Sequence, residues 1–100
     1  MSRIIFSISY PVIAEKREDY LETIKALKDH LTSLRNVDYS VYEHKSKANS
    51  FSEVYICKTM DEYDSLEDEE DDVTNELIDR IVNEYVKDGK VEYRTLIESV

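Results

Sequence analysis

Apolar and polar side chains alternate in four segments of the chain, and this period of two predicts four β-strands. The first segment, Ile4–Ile13, reads IIFSISYPVI and carries a large apolar residue at every second position through Tyr10. The others are Val37–His44, Phe51–Lys58 and Val91–Ile97. The loop KSKANS between the second and third segments has a length that suits a β-hairpin, so we expect those two strands to pair.

Two further segments show the spacing of amphipathic helices. Within Glu15–Arg35, the apolar stripe recurs at intervals of four and three residues: Tyr20, Ile24, Leu27, Leu31 and Leu34. A second stripe runs from Val73 to Tyr85. Both are predicted to pack an apolar face against the sheet. Gly89 follows the second stripe, where a helix end favours a left-handed residue.

Between the third strand and that last helix lies an acidic run, Asp61–Asp72, in which nine of twelve residues are acidic. Thr59 and Glu62 have the spacing of a capping box, which predicts a short helix over residues 61–66. Residues 67–72 contain no apolar side chain and are predicted to form a solvated bend.

A calcium loop can be laid on the acidic run from Asp68 to Asp79, but it fails at two of the positions that matter. Val73 stands where the loop needs glycine, and Asp79 stands where it needs a bidentate Glu. We therefore predict no metal site and no cofactor. The acidic run could still bind a basic partner, a possibility that rests on its charge alone.

The order β-α-β-β-α-α-β predicts a ferredoxin-like α+β sandwich, with one antiparallel sheet and helices on one face, as a single domain over residues 1–100. The predicted strands carry apolar or aromatic residues on both faces. A sheet with one face in water would show a cleaner alternation. A second subunit covering the other face would also enlarge the modest core of a chain this short.

Charge and composition exclude several kinds of partner. The net charge is −10, of which the acidic run supplies −9, and no Lys/Arg stripe is present. Nucleic acid is therefore not expected as a partner. No apolar run approaches the length of a membrane span, so no membrane partner is expected either. With one cysteine, Cys57, and no charged-then-apolar leader, we expect a cytoplasmic protein.

The predicted hairpin brings four candidate ligand-binding residues together. If His44 pairs with Phe51, then Tyr42 lies opposite Glu53, and Tyr55 falls on the same face. These side chains could hold a small aromatic ligand or move a proton. The alternative is that they line a polar and aromatic dimer interface. On the first interpretation, His44→Ala and Tyr42→Phe should weaken ligand binding.

Three further candidates lie on the first and last predicted strands. Ser7 and Ser9 are small residues on one face of the first strand, where they could leave room for a ligand or for a closely packed helix. Arg94 on the last strand could hold an anionic ligand, although a salt bridge to one of the 23 acidic residues would also explain it.

The element order, with the segments VDYSVYEH, FSEVYICKT and MDEYDSL, resembles the antibiotic-biosynthesis-monooxygenase-like group of the dimeric α/β-barrel superfamily. The resemblance implies a homodimer whose two sheets pack face to face into a dimeric α/β barrel. It also implies a small-molecule site, because some members are cofactor-independent oxygenases and others degrade haem. We therefore expect a small aromatic or quinone-like ligand.

The chain departs from the active patterns of that group. It contains no Trp, and Asp64, Glu67 and Asp68 stand near the position where a His is often found. No catalytic residue is assigned for this reason. The alternative function is a non-catalytic dimeric module with a structural or protein-interaction role.

Overall fold

A computed structural model describes residues 2–68 and 71–100. Its strands and helices in chain order are β1 Ile4–Pro11, α1 Arg17–Leu34, β2 Asp38–Glu43, β3 Ser50–Cys57, α2 Met60–Asp68, α3 Asp72–Arg80 and β4 Glu92–Ile97. α3 continues as a π-helical segment, Ile81–Tyr85, and single 3₁₀ turns lie at Ala14–Lys16 and Lys87–Gly89. Gly89 takes the left-handed conformation, with a φ of 63°.

The four strands form one sheet in the order β2-β3-β1-β4, and every neighbouring pair is antiparallel. α1 and α3 pack against one face of this sheet, which we call the covered face. The other side is left uncovered by the described helices, and we call it the open face. The predicted ferredoxin-like α+β architecture is confirmed.

The apolar stripe of α1 builds the centre of the core. Tyr20, Leu27 and Leu31 are buried against the covered face, and each such aliphatic side chain contributes about 1.5–3 kcal/mol by leaving water. The Tyr20 ring packs on Phe51 of β3, with 4.7 Å between the ring centroids. The predicted stripe is confirmed at these positions, while the Leu34 side chain lies outside the described part of the chain.

The acidic run begins with a capped helix, as predicted. Thr59 Oγ1 accepts the Glu62 backbone N–H at 3.2 Å, while the Glu62 carboxylate accepts the backbone N–H of Lys58 and not that of Thr59. The helix continues to Asp68, so the bend predicted from residue 67 begins too early. The rest of that prediction falls partly on Glu69 and Glu70, which lie outside the described residues.

Asp71 connects α3 to α1, a role that the sequence did not reveal. Its carboxylate accepts the Thr74 backbone N–H at 2.7 Å as the N-cap of α3. It also contacts His30 at 2.9 Å and Arg35 at 3.2 Å, both at the C-terminal end of α1. The hydrogen bonds from Thr74, and then His30, lower the pKa of Asp71 to about 2.

The hairpin register differs from the predicted one by a single residue. Glu43, not His44, lies opposite Phe51, and Tyr42 therefore lies opposite Ser52. The cause is the loop: Asn49 adopts a φ of 63°, and its backbone N–H donates to Glu43 Oε2 at 2.9 Å. Because a slip of one residue moves every side chain to the opposite face, the predicted cluster is divided.

Candidate ligand-binding site

The seven residues that the sequence singled out lie on opposite faces of the sheet. Glu53 and Tyr55 point to the covered face. They occupy every second position of β3 together with Phe51 and Cys57, and all four residues are buried. The other five belong to the open face, namely Ser7, Ser9, Tyr42, His44 and Arg94. The pairing of His44 and Tyr42 with Glu53 and Tyr55 on one face was therefore wrong.

On the open face, three polar side chains form a hydrogen-bonded line across β2, β3 and β1. His44 Nε2 lies 2.7 Å from Ser52 Oγ, which in turn lies 2.7 Å from Ser9 Oγ. Arg94 lies beside Ser7 and forms no ion pair with any described residue, contrary to the salt bridge considered above. The rest of this face includes the apolar side chains of Ile5, Val54, Ile56 and Leu96.

On the covered face, Glu53 is a deeply buried acid. It is 4% exposed, and the Tyr39 hydroxyl donates a hydrogen bond to its Oε1 at 2.7 Å. Burial raises the pKa of the Glu53 carboxyl, and hydrogen bonds from the Tyr39 and Tyr10 hydroxyls partly oppose that shift. Glu53 therefore holds a proton more strongly than an exposed glutamate does.

Tyrosine side chains surround this acid. The Tyr10 hydroxyl lies 2.8 Å from the Tyr20 hydroxyl, and the rings of Tyr39 and Tyr55 pack with their centroids 4.8 Å apart. Burial raises the pKa of each of these four tyrosines. They are consequently neutral hydroxyl groups at physiological pH, able to donate or accept a hydrogen bond.

A cavity of about 30 Å³ lies between the sheet and the last turns of the α3 region. Glu53, Tyr10 and Ile81 are buried at its floor, whereas Val82 is 38% exposed and Tyr93 is 68% exposed at its rim. The other lining residues are Ile8, Ile78 and Val91. The cavity therefore leads from solvent at the β4 edge to a buried carboxyl group.

The covering wall of the cavity includes the π-helical segment. Ile81 and Val82 belong to this segment, and Ile78 lies one turn earlier in α3. Wide helical turns of this kind are often found at functional sites. Here the turn places two apolar side chains in the lining that they share with Glu53.

A larger depression of about 640 Å³ lies at the other end of the sheet, between α2 and the C-terminal end of α1. Lys28, Arg35 and Lys58 line it together with the acids Asp38 and Glu62. Cys57 also borders it but is buried, and burial raises the pKa of its thiol. With charges of both signs on an open surface, this depression defines no particular ligand.

Sequence reasoning missed Tyr10, Tyr39 and the two aliphatic residues Ile81 and Val82 as parts of one site. A usable signal was present in β3, where Glu53 interrupts a set of large apolar residues at every second position. An acid inside such a set indicates a buried polar group that must find hydrogen-bond partners.

Among residues 2–68 and 71–100, no group of three His, Cys, Asp or Glu side chains is placed to hold a metal ion. The calcium loop considered above includes Glu70, which lies outside the described residues. None of the described helices is both long enough and apolar enough to cross a membrane.

No protein-family model and no curated protein matches the sequence. Solved structures do match the fold. A conserved protein from Methanosarcina mazei Go1 has a TM-score of 0.82 and 17% identity, over 99% of this chain and 95% of that chain. A Caulobacter crescentus CB15 protein, provisionally assigned as an antibiotic biosynthesis monooxygenase, has a TM-score of 0.78 and 12% identity, over 99% and 91%.

A NIPSNAP domain protein from Burkholderia xenovorans is also similar, with a TM-score of 0.74 and 14% identity over 96% of this chain and 94% of that chain. At these identities the likeness concerns the fold and not the activity. The resemblance noted in the sequence is confirmed at that level: this chain has the fold of antibiotic-biosynthesis-monooxygenase-like proteins.

Proposed function

We propose that this protein binds a small aromatic or quinone-like molecule in the cavity that ends at Glu53. The observation that carries the proposal is a buried carboxyl group on the floor of an apolar cavity whose rim is exposed. Ligand sites are typically apolar concavities with a few convergent polar groups. Glu53 and Tyr10 are such groups, while Val82 and Tyr93 offer apolar and aromatic contact at the rim.

The fold supports this proposal, since structures with the same fold include proteins assigned as monooxygenases. An aromatic ring needs more room than about 30 Å³, because a cavity that accepts benzene measures about 150 Å³. Binding therefore requires the π-helical segment to move away from the sheet, or the ring to remain at the rim.

A thermal-shift screen against small aromatics, quinones and haem tests the proposal. Val82→Trp should fill the rim and abolish the stabilisation by any ligand found. Val73→Trp is the matched control, since Val73 is another exposed valine of the same helical region that does not line the cavity. If no compound raises the melting temperature, or if both variants behave alike, this cavity is not the site.

We also propose that two copies pair through the open face. That face carries Ile5, Val54, Ile56 and Leu96, which a second copy would remove from water. The six residues of β4 are all exposed in the single chain, so this edge has surface to bury. Light scattering at micromolar concentration should report a dimer, and Leu96→Lys should yield a folded monomer. A wild-type monomer would refute the pairing.

The open face also favours the second candidate function, a non-catalytic dimeric module. If its exposed surface exists to pair two copies or to bind a protein, the chain needs no ligand at Glu53. A dimer that shows no response in the thermal-shift screen would support this candidate over the first.

A further inference from the structure

The Glu53 carboxyl lines its cavity without a positively charged side chain among the described residues that share that lining. Five of the eight lining residues are aliphatic, and the polar ones are Glu53, Tyr10 and Tyr93. Acidic side chains are rarely buried completely unless a counter-charge accompanies them. The chain therefore supplies the acid of this cavity but not the cation that would balance it.

The groups that face Glu53 are suited to its charged form. Tyr39 of β2 donates a hydrogen bond to the carboxyl, and the nearby Tyr10 hydroxyl of β1 also favours its charged form. Both hydroxyls lower the pKa of Glu53, whereas burial raises it. The remaining neighbours by element are Tyr20 of α1, Tyr55 of β3, Tyr93 of β4, and the non-ionisable Ile78, Ile81 and Val82.

A positively charged group in this cavity would therefore provide the counter-charge that Glu53 lacks there. The Tyr39 hydroxyl would donate to the carboxylate, and the cation would replace the water that burial has removed. Tyr10 and Tyr93 also line the cavity, and aromatic rings attract cations. The net charge of −10 attracts cations towards the molecule as a whole.

Cavity size limits what can lie at the floor. A volume of about 30 Å³ accommodates one or two groups the size of a water molecule. An ammonium group has that size, whereas an aromatic ring does not. A ligand with an ammonium group on a short stem could place its head at Glu53 and its ring beside Tyr93 and Val82.

We propose that the cavity binds small aromatic amines, with the ligand ammonium paired to Glu53. This inference rests on the proposed function and specifies the charge of the ligand. Below the pKa of the amine, the ligand enters as R–NH₃⁺ and pairs with the Glu53 carboxylate. Any proton that Glu53 carries before binding passes to solvent, so that the complex contains one ammonium–carboxylate pair.

The experiment compares benzylamine, benzyl alcohol and benzoate by isothermal titration at pH 7. Benzylamine should bind about 10-fold or more tightly than the alcohol, since hydrogen bonds to charged groups are stronger than neutral ones, and benzoate should not bind. Titration in two buffers of different ionisation enthalpy corrects the binding enthalpy for any proton exchanged, and the preference for benzylamine should be the same in both. This measurement on the wild-type protein needs no variant.

Glu53→Gln should remove the preference for the amine. Glu92→Gln is the matched control, because it makes the same substitution on the open face. Equal binding of amine and alcohol by the wild-type protein would overturn the inference and leave the proposed function standing. If none of the three compounds binds, both the inference and the proposed site fail.

Discussion

The two faces of the sheet are built from the same strands but differ in their exposure to water. On the covered face, helices exclude water, and the polar groups that remain are satisfied by tyrosine hydroxyls around Glu53. On the open face, polar and apolar side chains mix, and the line from His44 to Ser9 stays accessible. The first face therefore holds one buried charge site, whereas the second offers a broad surface to another molecule.

Ile4 and Ile5 give the most direct comparison, because they are consecutive residues of a central strand and point to opposite faces. Ile4 is 1% exposed under the helices, and Ile5 is half-buried on the open face. Ile4→Ala should lower the free energy of unfolding by about 2–5 kcal/mol, and Ile5→Ala by about 1–2 kcal/mol in the monomer. Urea denaturation measures both.

Measuring both variants at several protein concentrations tests whether a second copy covers the open face. If a second copy covers the open face, the cost of Ile5→Ala should grow as the protein is concentrated, while the cost of Ile4→Ala should not. Equal costs at every concentration would mean that the two faces do not differ in burial as described.

Glu53 provides the second test, through pH. Its pKa is raised in the folded protein, so above the ordinary value of about 4.5 the unfolded chain releases this proton first. Stability should therefore fall as the pH rises from about 4.5 through the folded pKa. Each unit of difference between the two pKa values corresponds to about 1.4 kcal/mol.

Glu53→Gln should remove this loss of stability. The free energy of unfolding of the variant should therefore rise relative to that of the wild-type protein as the pH is raised from 5 to 8. Denaturant titrations at several pH values would measure the difference. Glu92→Gln on the open face should keep the wild-type slope. If the dependence of stability on pH is the same in Glu53→Gln as in the wild-type protein, Glu53 is solvated. The covered face would then not differ from the open face in the way described above.

The sequence predicted the elements well because their patterns are local. The α1 stripe and the four strands each follow from spacing within one segment, and their order then restricts the topology. The hairpin register depends instead on the conformation of the loop, in which Asn49 has a left-handed backbone and donates to Glu43. A shift of one residue there decides whether Glu53 shares a face with Tyr42 or with Tyr39.

The third test concerns Asp71, which joins two of the helices that cover the sheet. Asp71→Ala should cost about 1 kcal/mol by removing the N-cap of α3, and it also breaks the contacts to His30 and Arg35. Its pKa of about 2 adds a stabilisation that is present above about pH 4 and is lost as the pH falls towards 2.

Thermal unfolding of Asp71→Ala and Asp71→Asn at pH 2 and pH 7 would separate these effects. The asparagine retains a capping oxygen and should recover much of the loss at pH 7. Asp72→Ala, at the exposed neighbouring position, is the control and should change little. If it costs as much as Asp71→Ala, general acidity and not the cap supports the covering helices.

The smallest effects are expected on the open face. His44→Ala and Tyr42→Phe should change the free energy of unfolding by no more than about 0.5 kcal/mol, since both side chains are exposed. The sequence alone suggested that they would weaken ligand binding, but the observed register places them on the face opposite Glu53. Their affinity for benzylamine should therefore equal that of the wild-type protein, whereas Tyr39→Phe, which removes a donor to Glu53, should weaken it. If the two open-face variants lose affinity and Tyr39→Phe does not, the ligand binds between two paired sheets, and the covered face is a core rather than a site.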